Sequence, residues 1–290
     1  MYFVETDQVI VNANLEETKV ISSGVSELRE SEEDHALRAI AAWLTPINYA
    51  VQQSDFINRR QKETGTWFLG SDEFQAWLTQ PEKYPTLFCP GIPGAGKTMI
   101  SSITISHLQN HFHQSTQVGI AYIFCNFSQQ DILQNPTALI ASLVRQLSKG
   151  EHAEPLRELF KTHDKKNTYP SHMDLFQVLV TVVSSYSRVF ILVDALDEFH
   201  ALQGRESFLR DLFALQQKVD MHMSIFATSR YGETIESFFR GCSRRVIRAN
   251  EADVRMFLDG KLHGFQPWVS NNFALKNDIK TKLSEAADGM

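Results

Sequence analysis

The sequence predicts a three-layer α/β fold: a five-stranded, mainly parallel sheet with helices on both faces, preceded by N-terminal helices and followed by the start of a helical subdomain. Three observations carry this. Short runs that are apolar at nearly every position alternate with amphipathic stretches, the pattern of strands covered on both sides and joined by right-handed crossovers. The first run, Leu87 to Cys89, breaks into the spacing GxxxxGK(S/T) from Gly91 to Thr98, which requires a strand before it and a helix after it. Two later runs end in Asp194 to Glu198 and in Thr228 to Arg230, and an open parallel sheet gathers the ends of its strands along one ligand-binding edge.

In chain order, residues before 31 are polar, with scattered valines and leucines that suggest a tail. Ser31 to Asp34 then reads as a helix start, with Leu37, Ile40 and Leu44 on one face before Pro46. Thr45 and Pro46 suit the opening of a second helix whose stripe is Ile47, Ala50, Val51 and Ile57. Ser71 caps a third, with Phe74, Trp77 and Leu78 inward and Pro81 closing it. Past the glycine loop, Met99, Ile100, Ile103, Ile105 and Leu108 line a helix to about Gln109; Val118 to Phe127 is the second strand. Asn135 and Pro136 open a helix buried through Leu139, Leu143, Val144 and Leu147, and another spans Ala153 to Thr162. A helix over Met173 to Tyr186 precedes the strand Val189 to Val193, Ser224 to Ala227 is the fourth strand, and Arg245 to Arg248 a weaker fifth. From Glu251 only helices are expected, one marked by Val254, Phe257 and Leu258, one by Ile279, Leu283 and Ala286. The resulting divisions are a tail (1–36), a helical lead-in (37–85), a core (86–250) and an apparently incomplete helical subdomain (251–290).

Composition narrows the chemistry. A net charge of −6 over 290 residues argues against nucleic acid as partner, since that footprint needs clustered Lys and Arg. No uncharged apolar stretch reaches membrane-spanning length, and the three cysteines, Cys89, Cys125 and Cys242, lack metal-ligand spacing. A cytoplasmic, reducing location is the expectation.

The residues from Gly91 to Thr98 are those of a phosphate-binding loop. Gly91, Gly94 and Gly96 remove Cβ atoms where the backbone approaches phosphate oxygens, and Pro93, Ala95 and Met99 complete the loop and the helix entry. Lys97 supplies a charge for the β and γ phosphates, the hydroxyl of Thr98 a ligand for Mg²⁺, and the helix N-terminus its dipole. Replacing Lys97 is expected to abolish nucleotide binding and leave the fold intact. Asp194, the first acid after its strand, suits the metal opposite Thr98, while Asp197 and Glu198 suit orientation of an attacking water; a solvated helix start would also favour such acids. Arg230 stands where a cation senses a γ-phosphate, or else is a surface arginine. Arg59, Arg60 and Trp67 either stack on a base or serve solvation and packing.

These residues resemble a known family, the NACHT-type P-loop NTPases of the STAND class, in particular the fungal NOD-like receptor group with nephrocystin 3-like N-terminal domains. The resemblance runs from about residue 37 to 290. It rests on Arg59 to Trp67, Ser71 to Leu78, Gly91 to Thr98, Tyr122 to Phe127 with Leu139 to Leu147, Asp194 to Glu198, and Thr228 to Arg230. Ala195 stands directly after the first acid, where many related ATPases carry Glu. The resemblance implies a nucleotide-controlled switch that exchanges NDP for ATP or GTP, self-associates when loaded, and resets by slow Mg²⁺-dependent hydrolysis. It also implies an effector domain and a repeat domain in full-length relatives, so the chain reads as a fragment, a truncated form or a small relative. A P-loop phosphotransferase for a small acceptor and a nucleotide-binding scaffold without turnover are the alternatives.

Overall fold

A computed structural model describes residues 32–126, 135–199, 202–219, 222–262 and 273–286. The chain divides into two units, residues 1–46 and 47–290. In the first, the acid-led run predicted to be helical is helix α1, residues 32–44; the tail before it lies outside the described residues.

The second unit holds one sheet of β1 (Thr86–Pro90), β2 (Val118–Phe124), β3 (Arg188–Asp194), β4 (Met223–Ser229) and β5 (Ser243–Arg244). Its order is β2-β3-β4-β1-β5, and every pair is parallel. Strand β4, the last of the central trio in chain order, therefore lies between β1 and β3. Register places Pro90 opposite Ser229 and Val193 opposite Ala227, so the three motif-bearing strands finish at one edge.

Every residue of β1 and β4 is buried, as is all of β3 beyond Arg188, which explains why these runs are apolar without alternation. The helices ahead of the sheet are α2 (Tyr49–Arg59), α3 (Thr66–Leu69) and α4 (Asp72–Thr79). From α4, Trp77 is fully buried with its ring 5.3 Å from Phe190 and 6.0 Å from Phe226. Arg188 ties the same corner, donating to Leu78 O at 2.7 Å. The crossovers comprise α5 (Lys97–His111), α6 (Pro136–Leu147), α7 (Glu154–Asp164), α8 (His172–Ser184), α9 (Leu202–Lys218) and α10 (Glu233–Phe238). Asn135 caps α6, accepting from Ala138 N at 2.9 Å, and Ser171 with Asp174 forms a reciprocal cap on α8. After the sheet come α11 (Glu251–Leu262) and α12 (Phe273–Ala286), joined by the Lys280–Asp259 ion pair.

Several local expectations need correction. Helix α2 starts at Tyr49, because Asn48 Oδ1 accepts from Ala50 N at 3.2 Å and is the better cap, leaving Thr45 and Pro46 in the connection. Its buried positions are Tyr49 and Gln53, whereas Val51 is 67% exposed. Strand β2 stops at Phe124, and Phe127 lies outside the described residues. Strand β5 is two residues earlier than expected, paired with Leu87 and Phe88. The stretch expected to be the strand follows as irregular chain that still donates to β1, from Arg245 N to Phe88 O and from Ile247 N to Pro90 O. Phe257 and Leu283, which mark the two expected helices α11 and α12, are 44% and 46% exposed. Among the described residues no helix is long and apolar enough to cross a membrane.

Candidate functional site

The phosphate-binding loop leaves β1 at Gly91 and enters α5 at Lys97. Gly94 and Gly96 have φ of 79° and 88°, a left-handed conformation that explains glycine there. At Gly96 an added Cβ would meet no atom within 4 Å, so the loop opens onto free space at the start of α5. Gly91 also meets a packing demand: its Cβ would stand 2.6 Å from Ile247 O, so the missing side chain admits the segment after β5. No side chain caps α5, which leaves its first turn of amides facing that opening. Lys97 folds back across the loop, donating to Gly91 O at 3.0 Å and Ile92 O at 2.9 Å. Burial pushes its pKa down, opposed first by the negative charge of Asp197.

Asp194 ends β3 fully buried, and three hydroxyls from two other elements converge on it. Thr98 donates to Oδ2 at 2.7 Å, Ser101 to Oδ1 at 2.6 Å, and Thr228 to Oδ1 at 2.7 Å. Thr228 Oγ1 also accepts from Ala195 N at 2.9 Å. Burial raises the Asp194 pKa, and the three hydroxyl donors with the Lys97 charge work against that rise. The expected facing of Thr98 and Asp194 is thus present. Ser101 went unnoticed in the sequence, although it sits three residues after Thr98 on the same helix face.

All three acids act on the Lys97 ammonium, but their contacts differ. Ala195 adopts φ of 54°, and the short 3₁₀ turn Leu196–Glu198 follows, carrying Asp197 and Glu198. There Asp197 receives Arg230 twice, from the backbone N–H to Oδ1 at 2.7 Å and from Nε to Oδ2 at 3.1 Å; Glu198 lies 3.9 Å from the same guanidinium. The turn and the end of β4 are thereby joined by an ion pair beside Lys97. Among the described residues no group of three or more His, Cys, Asp or Glu side chains is placed to hold a metal ion.

A cavity of about 320 Å³ adjoins the loop, walled by Trp67, Gly94, Met99, Ile100, Asp253 and Val254. Asp253 from α11 closes it by accepting from Gly65 N at 2.7 Å and Trp67 Nε1 at 3.0 Å. Of the residues considered for base stacking, only part fits: Arg60 is occupied with Thr64 O, Arg59 lines the rim while paired with Asp55, and Trp67 forms a wall. Asp253 had no signal in the sequence, being 188 positions from Gly65.

A family model described as Nephrocystin 3, N-terminal, matches residues 63–230, more than half of the chain. The chain belongs to that family. Within this nephrocystin 3 N-terminal chain the matched segment begins beside the cavity and ends on Arg230, so it includes the phosphate-binding loop, Asp194 and the acid–arginine pair. No curated protein matches the chain. Similar solved structures include a DNA replication initiation factor (14% identity, TM-score 0.44, 79% of this chain and 60% of that one). Two others are Drosophila ORC bound to DNA (15%, 0.45, 72% and 48%) and a Walker-type ATPase of Pyrococcus abyssi (13%, 0.46, 73% and 60%). The chain thus spans about half to three-fifths of those proteins. Family and architecture agree on an α/β fold of P-loop type.

Proposed function

We propose that this domain is a nucleoside-triphosphate-binding switch with slow Mg²⁺-dependent hydrolysis, whose output is self-association or partner binding. The observation that carries the reading is the meeting, at one edge of the sheet, of an uncapped helix N-terminus with Lys97, a Thr98–Asp194 contact of 2.7 Å, and an acid-held arginine at the end of β4. Gly91 to Met99 would cradle the phosphates of ATP or GTP, with the opening at Gly96 as the space they enter. Thr98 and Asp194, a hydroxyl and a carboxylate, suit a hard cation, and Mg²⁺ held there would neutralise charge on the β and γ phosphates. The base would lie in the cavity walled by Trp67, Met99 and Val254.

Arg230 and the acids work as one unit in this reading. A γ-phosphate drawing on the Arg230 guanidinium competes with Asp197 for it. That competition would free the carboxylates of Asp197 and Glu198 to orient water. Because neither acid directly follows Asp194, and because Asp197 orients water only after Arg230 has been drawn off it, water is positioned less readily than by an adjacent, unpaired base, which favours slow turnover. Nucleotide extracted from the purified, denatured protein identifies the ligand. In titrations, Asp194→Asn should bind nucleotide almost equally with Mg²⁺ and with EDTA; a variant retaining the wild-type difference would remove Asp194 from the metal side.

A further inference from the structure

Asp194 is buried between two elements that contribute hydroxyls to the same oxygen atom. Oδ1 accepts from Ser101 Oγ on α5 at 2.6 Å and from Thr228 Oγ1 on β4 at 2.7 Å. A carboxylate oxygen has about two lone-pair positions, so Oδ1 is saturated. The Thr228 proton is committed, because the N–H of Ala195 already donates onto the same hydroxyl oxygen. Ser101 and Thr228 are 1% and 0% exposed, which leaves water no route to substitute for them. Among the described residues, only Oδ2, with Thr98 on one side, keeps a free position.

We infer that Ser101 and Thr228 are positioning residues that make the site select Mg²⁺ over Ca²⁺, by restricting Asp194 to one oxygen for metal coordination or for a metal-bound water. The inference rests on the nucleotide-switch reading above. The two cations differ in what they ask of a carboxylate. Ca²⁺ takes about 6–8 oxygen ligands and often both oxygens of one carboxylate, whereas Mg²⁺ keeps an octahedral shell with its own waters and one oxygen per group. A carboxylate whose Oδ1 is pinned from two sides cannot turn to chelate. Removing both hydroxyls frees Oδ1 and permits the bidentate geometry.

The test is a fluorescent-nucleotide titration of the full chain in EDTA, in saturating Mg²⁺ and in saturating Ca²⁺. Wild type should bind about tenfold more tightly with Mg²⁺ than with Ca²⁺, roughly the effect of one charge-assisted contact. The pair Ser101→Ala with Thr228→Val should bring that ratio below about threefold, with affinity in EDTA changed less than about twofold, while Thr228→Ser, which keeps the hydroxyl, preserves selectivity. Should the double variant fail to fold, judged by circular dichroism, Ser101→Ala alone carries the test and should give an intermediate ratio. An unchanged ratio on loss of the hydroxyls, or a wild type that binds equally with both cations, overturns the inference and leaves the nucleotide reading standing. Wild-type protein that binds no nucleotide in any condition overturns that reading instead.

Discussion

Replacing Lys97 by methionine keeps the side chain's length and apolar stem but removes its charge and its donors. In the free protein the ammonium bridges Gly91 O and Ile92 O at 3.0 and 2.9 Å. Hydrogen bonds from a charged donor contribute about 1.5–3 kcal/mol each, and burial of the ammonium, visible in its lowered pKa, offsets part of that. We therefore expect the unfolding free energy to fall by about 1–2 kcal/mol, net of that offset. Set against a typical domain stability of about 5–15 kcal/mol, that loss leaves the fold intact. The functional effect is larger and is separable by linkage. At a nucleotide concentration of about 100 times the wild-type Kd, urea denaturation of wild type should show about 2.7 kcal/mol of added stability, and Lys97→Met close to none. If the variant gained as much from nucleotide as wild type, Lys97 would not bind phosphate, and its two carbonyl contacts would be its whole role.

Two further outcomes discriminate among the site residues. Single-turnover phosphate release by wild type should run below about 1 per second, and Asp197→Asn with Glu198→Gln should lower it about a hundredfold further without loss of binding; hydrolysis that survives would show that neither acid positions water. Gly91→Ala should cost about 1–3 kcal/mol in urea denaturation by crowding Ile247 O. Gly96→Ala, strained at φ of 88° but meeting no neighbour, should cost about 1–2 kcal/mol and remove nucleotide binding; equal binding by both variants would place the phosphates elsewhere.

The local requirements of this site were legible in the sequence, because they are backbone requirements of neighbouring residues. A strand that turns into a helix through left-handed positions needs glycine at Gly94 and Gly96, and a strand buried on both faces needs the unbroken apolar runs of β1, β3 and β4. The α/β class and the loop followed from that local information, and the facing of Thr98 with Asp194 from the rule that a parallel sheet gathers its strand ends along one edge. Strand order did not, since it depends on which buried faces fit together across more than a hundred residues. Inserting β4 between β1 and β3 is what brings Thr228 against Asp194 and Arg230 against Asp197. It also sets Thr228 under the left-handed Ala195, whose N–H it accepts, so that Asp194 and Asp197 meet different partners. Asp253 reached Gly65 and Trp67 the same way, through packing of α11 beside the loop that no spacing announces. Where no motif marks both partners, a hydrogen bond between distant residues leaves no periodicity in either segment, so only the folded chain could reveal that Ser101 and Thr228 meet Asp194 and that Asp253 meets Gly65.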